Sequence, residues 1–210
     1  MAEVIQLTQR RSDPSGRQAL PGPVSGPTTL YFDLASPYTY LVAEQLERRV
    51  PDAVWRPAAL RQPLARGDEL VAEAQRRARA LRMPLVWPER FPSRVPTAMR
   101  VATYANEQGC ASRYAIAAGR LAFCGGFDLE DPDILAEAAA AAGLDVGDAL
   151  VAAREPRRDH QVEMAARLVA QAGAATLPVL EHERRLYCGE AHITAWLSQA
   201  AAAMARHSVS

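Results

Sequence analysis

The feature that most constrains this chain is an unbroken series of helical patterns, about a hundred residues long, held between two segments that read as strands. TTLYF, Thr28 to Phe32, is short, β-branched and aromatic, which predicts a strand. Pro37 then suits the first position of a helix, because its missing N–H would be unpaired there anyway. That helix runs to about Val50, and Pro51-Asp52 ends it. AVWRPAAL, from Ala53, predicts a second strand, so the opening is a strand–helix–strand crossover that favours parallel pairing. The helical patterns follow: GDELVAEAQRRARALRM, PTAMRVATYANEQG, SRYAIAAGRLAFCGG, DPDILAEAAAAAGL, LDVGDALVAAREP and DHQVEMAARLVAQAG. Asp131 is placed to cap the fourth, with Pro132 behind it. The chain then returns to β: ATLPVLEHERRLYCGE predicts a hairpin, and HITAWLSQAAAAMA a closing helix. The predicted architecture is an α/β domain, residues 28–60 and 158–206, split by an all-helical insertion over 61–157. Residues 1–27, rich in Pro, Gly, Ser and Gln, predict a flexible leader.

Composition narrows the function classes. The 210 residues carry 24 basic and 24 acidic side chains, so nothing favours a nucleic-acid or membrane-surface partner. The sequence contains no lysine, which excludes a Schiff-base lysine. No apolar run is long enough to span a bilayer, and the N-terminal stretch lacks the apolar centre of a signal peptide. A cytoplasmic protein is expected. Cys110, Cys124 and Cys188 match no zinc spacing and are expected to be reduced; no metal site is expected. His182, within Glu181-His182-Glu183, is expected to be exposed in the hairpin turn.

One short stretch carries chemistry. In FDLASPYTY, Ser36 stands where a strand ends and a helix begins. A serine there caps the helix, or it holds a reactive atom over the helix's positive end. Trp87 and Phe91 fill the core or wall a substrate pocket. Arg61 is a solvated charge or a fork that clamps a carboxylate.

The element order resembles the thioredoxin fold with an inserted helical domain. Ser36-Pro37-Tyr38-Thr39 stands where oxidoreductases of the DsbA type carry Cys-Pro-x-Cys. Dithiol–disulfide exchange needs two thiols, and neither is present. FDLASPYTYL resembles the start of the 2-hydroxychromene-2-carboxylate isomerases and the kappa-class glutathione transferases. LRMPLVWPERFP, DLEDPDILAEAAAAAGLD and AATLPVLEHERRLYCGEAHI resemble further segments of the same proteins, in the same order.

The resemblance implies glutathione as cofactor and a small aromatic keto acid as substrate. The implied reaction is cis–trans isomerisation by thiolate addition, rotation and elimination; conjugation of glutathione, or binding without catalysis, are the alternatives. It implies that Ser36 donates a hydrogen bond to the glutathione sulfur, with Pro37 and Tyr38 beside it. Pro178 would be a cis-proline whose preceding Leu177 backbone pairs with the glutathione peptide. At Gly189-Glu190-Ala191-His192 the family's acidic residue falls at Ala191, so Glu190, one position earlier, is expected to meet the γ-glutamyl ammonium. Arg94 stands where the family tends to carry asparagine. The resemblance also favours a homodimer.

Overall fold

The computed structural model describes residues 4–6, 27–60 and 67–207. The first half-domain contains β2 (Thr28–Phe32), α1 (Pro37–Arg49) and β3 (Val54–Pro57), following a short strand β1 (Val4–Gln6). The helical segment supplies α2 (Gly67–Leu81), α3 (Pro96–Glu107), α4 (Ala111–Phe123), α5 (Pro132–Ala142) and α6 (Val146–Ala153), then a 3-10 turn at Pro156–Arg158. The chain closes with α7 (Asp159–Gln171), β4 (Val179–His182), β5 (Arg185–Cys188) and α8 (Glu190–His207).

The strands form one sheet in the order β1-β5-β4-β2-β3. β2 and β3 are parallel, with Leu30 beside Trp55, because the α1 crossover returns the chain in the same direction. β4 runs antiparallel to β2, with Tyr31 opposite Val179, and forms a hairpin with β5. β1 corrects the expectation of a leader without structure. Val4, Ile5 and Gln6 pair with Tyr187, Leu186 and Arg185, completing the hydrogen-bonding edge that β5 would otherwise leave open.

Strand alternation divides the buried side chains between the two faces of the sheet. Leu30, Phe32, Trp55 and Leu180 belong to the larger core, together with Leu41 and Leu46 of α1 and Ile193 and Trp196 of α8. Tyr31, Val179, Leu186 and Cys188 point the other way, against Ala166 and Val169 of α7. Met99, Tyr114, Phe123 and Leu135 from the helical segment lie within the larger core too. The larger core therefore draws side chains from both the strand-bearing segments and the helical segment.

His182 differs from its expectation. It is the last residue of β4, only 4% exposed, and its Nδ1 lies 2.9 Å from Thr28 Oγ1. Its ring packs on Trp196 at 5.1 Å. The turn is made instead by Glu183 and Arg184, both at positive φ. Burial lowers the His182 pKa below the usual imidazole range, partly offset by Glu183.

Candidate functional site

β2 ends at Phe32, and the chain turns at Asp33 to Ser36 before Pro37 opens α1. The turn is held by the backbone: Ser36 N–H donates to the Asp33 carbonyl at 3.1 Å, and Thr39 N–H donates to the Ser36 carbonyl at 3.1 Å. Ser36 has the extended backbone of an N-cap, φ −93° and ψ 120°, yet its side chain makes no capping hydrogen bond. It is half-buried. By contrast, the Asp131 carboxylate caps α5, accepting from Asp133 N–H at 2.9 Å. Ser36 therefore holds a cap's position and leaves its hydroxyl available. Pro37 is buried at the first helical position. The Tyr38 hydroxyl is pushed up in pKa, by burial first and then by Glu73 and Glu190, with Arg76 and Arg77 opposing. Thr39 Oγ1, where the second thiol of a dithiol enzyme would be, is buried without a hydrogen-bond partner.

The Leu177–Pro178 bond is cis. β4 begins one residue later, antiparallel to β2 and with Val179 opposite Tyr31, so Pro178 lies at the end of the sheet from which Ser36 emerges. Leu177 is buried in the smaller core, and the Pro178 carbonyl accepts from Gly189 N–H at 2.8 Å, tying the loop to the start of α8. A second cis bond, Phe91–Pro92, falls in the proline-broken loop; nothing in that loop's sequence distinguished Pro92 from its neighbouring prolines.

Glu190 does not present an open carboxylate. It is 3% exposed, and Arg77 of α2 grips it with two nitrogens, Nη2 at 2.9 Å from Oε1. Thr194 Oγ1 donates to the same oxygen at 2.8 Å. The expectation that Glu190 waits for an ammonium is corrected: a guanidinium from the helical segment already neutralises it. Ala191 is exposed and contributes no polar side chain. Arg61 lies outside the described residues. The Trp87 and Phe91 rings lie 4.5 Å apart between centroids, tilted by 40°, and pack with Phe123 against the larger core.

Little in the sequence pointed to the remaining site residues. A cavity of about 390 Å³ opens between the β2–α1 turn, the start of α3 and α7. Asp33, Arg94, Met99, Asp159, Val162 and Glu163 are among its lining residues, as is Ala35, the residue before Ser36. Asp33 Oδ1 accepts from Ala35 N–H at 2.9 Å. Burial pushes the Asp33 carboxyl up to about 6, only partly opposed by that hydrogen bond and by Arg94. Asp159 is held by Arg100 at 2.7 and 2.8 Å. Arg94 is exposed at the cavity wall. An acid between Phe32 and Leu34, in an otherwise apolar run, was the available signal for Asp33. Asp159 and Glu163 gave none, because their place depends on how α7 docks.

Residues 29–190 match the model of the DsbA-like thioredoxin domain. The chain belongs to the DsbA-like thioredoxin family. Within this family it resembles, at 17% identity, a 2-hydroxychromene-2-carboxylate isomerase structure, with a TM-score of 0.68 over 87% of this chain and 97% of that one. A probable DsbA oxidoreductase from Streptomyces coelicolor has 19% identity and a TM-score of 0.67, over 86% and 91%. The cytosolic disulfide reductase DsbM from Pseudomonas aeruginosa, in a structure with GSH, has 21% identity and a TM-score of 0.58, over 81% and 95%. At such identities these likenesses describe the fold. No curated protein matches the sequence. As a DsbA-like chain, this one departs from dithiol chemistry at both positions, Ser36 and Thr39. Among the described residues no helix is long and apolar enough to cross a membrane, and no cluster of His, Cys, Asp or Glu could hold a metal ion.

Proposed function

We propose that this DsbA-like protein is a glutathione-dependent cis–trans isomerase of conjugated aromatic keto acids, of the 2-hydroxychromene-2-carboxylate isomerase type. The observation that carries the reading is Ser36: a hydroxyl at a helix N-terminus that makes no capping bond and directly follows Ala35, a residue of the cavity wall. The residues present suit the thiol end of glutathione. They do not offer its γ-glutamyl ammonium an open carboxylate at Glu190, which Arg77 occupies.

Bound glutathione supplies a thiolate, the form of sulfur that adds to a conjugated carbon. Ser36 donates a hydrogen bond toward that sulfur, and the positive end of α1 favours the anion further. The cis-Pro178 loop, fixed by Gly189, presents the backbone of Leu177 at the same end of the sheet. Val162, Met99 and Ala59 form the apolar wall for an aromatic ring, and Arg94 offers a planar fork to a carboxylate.

A thermal-shift titration with glutathione tests the reading, since a ligand bound only by the folded state raises its stability. We expect a rising melting temperature in the wild type, and glutathione-dependent interconversion of 2-hydroxychromene-2-carboxylate with its open keto acid. No shift and no turnover at saturating glutathione would overturn it.

A further inference from the structure

We propose that Asp33 is the proton-transfer residue of the site, exchanging a proton with the carbonyl oxygen of a conjugated keto acid whose carboxylate is held by Arg94. The inference rests on the isomerase reading for its chemistry and on the cavity for its geometry.

Asp33 and Arg94 line the same cavity as Ala35, the residue before Ser36. One Asp33 oxygen, Oδ1, is engaged by Ala35 N–H, which fixes the carboxyl group's orientation. That bond would serve as an Asx turn for structure alone, and an asparagine would make it as well. The structural role does not call for an ionisable group, whereas burial beside a cavity creates an acid whose pKa sits near 6. Such a value suits a group that must both give and take a proton close to neutral pH.

Among the described residues, the charged groups lining the cavity are Asp33, Arg94, Asp159 and Glu163. Arg94 precedes α3, while Asp159 and Glu163 come from α7; the loop after β3 contributes Ala59 and Leu60. Asp159 is neutralised by Arg100, and Glu163 lies 3.2 Å from Arg167. Among the described residues, Arg94 is the lining cation, and its planar fork suits the carboxylate of an acidic substrate. The step balances without an oxidant or reductant. As a C–S bond forms at the conjugated carbon, the substrate's carbonyl oxygen gains the π electron pair and takes the Asp33 proton, leaving an enol whose former double bond rotates. As the C–S bond breaks, its electron pair leaves with sulfur as thiolate, the enol π pair re-forms the conjugated double bond, the O–H pair re-forms the carbonyl, and the proton returns to the Asp33 carboxylate.

Two measurements test this, and only one depends on glutathione. Benzylidenepyruvate, a conjugated aromatic keto acid that cannot cyclise, is titrated by calorimetry at pH 6.5 in two buffers of different ionisation enthalpy. A hydrogen bond from protonated Asp33 to the carbonyl oxygen raises the Asp33 pKa, so binding takes up a fraction of a proton. Asp33→Asn should bind without uptake, and Arg94→Gln should bind at least about tenfold more weakly. In the second measurement, isomerase kcat/KM is followed against pH. The wild-type rate should fall above about pH 6; Asp33→Asn should lower it at least about a hundredfold and remove that limb, and Asp33→Glu should keep it with partial activity. Binding without proton uptake, or no binding at all, overturns the Asp33 assignment even if glutathione turnover is observed. Proton uptake in the wild type alone, with no turnover, upholds the acid and its ligand class and overturns the isomerase reading by itself. An Asp33→Asn enzyme within about threefold of wild type, with the same limb, also overturns the assignment.

Discussion

Two helices in this molecule start directly behind a strand at the same end of the sheet, and they use their polar side chains in opposite ways. At the start of α8, Glu190 is buried, gripped by Arg77 and held by Thr194. At the start of α1, Ser36 has no capping bond, Asp33 lines a cavity with Oδ1 engaged by Ala35 N–H, and Thr39 Oγ1 has no partner. Polar groups that are saturated hold the fold together. Groups left unsatisfied beside a cavity carry a cost that folding alone does not explain. The α8 start, which motif reasoning offered as a ligand site, belongs to the first kind; the α1 start belongs to the second.

The largest effect should come from opening the saturated site. Arg77→Ala leaves the Glu190 carboxylate buried and unpaired, and should cost about 3 kcal/mol of unfolding free energy by denaturant titration. Arg77→Ala combined with Glu190→Gln should recover more than half of that. A single-variant loss below about 1 kcal/mol would remove the contrast between the two helix starts.

The next effect is in pH dependence. Asp33 keeps its proton in the folded protein up to about pH 6, whereas the unfolded chain releases it near 4. Between these values the folded state binds more protons, so stability falls as pH rises, and the raised pKa favours folding only on the acid side. Wild type should therefore lose about 2 kcal/mol relative to Asp33→Asn between pH 4 and pH 7. Parallel stability curves would mean that Asp33 is solvated like an ordinary surface acid.

The smallest effect separates a working cap from an idle one. Asp131→Ala should cost about 1 kcal/mol, because its carboxylate accepts from Asp133 N–H. Ser36→Ala should cost only a few tenths. Equal losses, read from matched denaturant curves, would show that Ser36 supports α1 as Asp131 supports α5.

The strand–helix–strand opening, the helical series and the final hairpin were legible because each rests on local periodicity and on proline and glycine punctuation. The cis bond before Pro178 was reached through resemblance and agrees with the structure. What sequence could not supply were pairings across long separations. Arg77 and Glu190 lie 113 positions apart, and Thr28 and His182 lie 154 apart. Read locally, Glu190 looked available and His182 looked exposed; both are claimed by partners that only the fold brings near. β1 was missed for a related reason: three residues form a strand there only because β5 offers an edge.

The central claim, that the Ser36 hydroxyl is reserved for a thiolate, is most directly tested by titrating the thiol of bound glutathione through its thiolate ultraviolet absorbance in wild type and Ser36→Ala. The account predicts a thiol pKa clearly below that of a free thiol in the wild type, a rise of about one unit or more in Ser36→Ala, and unfolding curves that nearly coincide. An unchanged thiol pKa together with a stability loss of about 1 kcal/mol would contradict it, and would make Ser36 a helix cap.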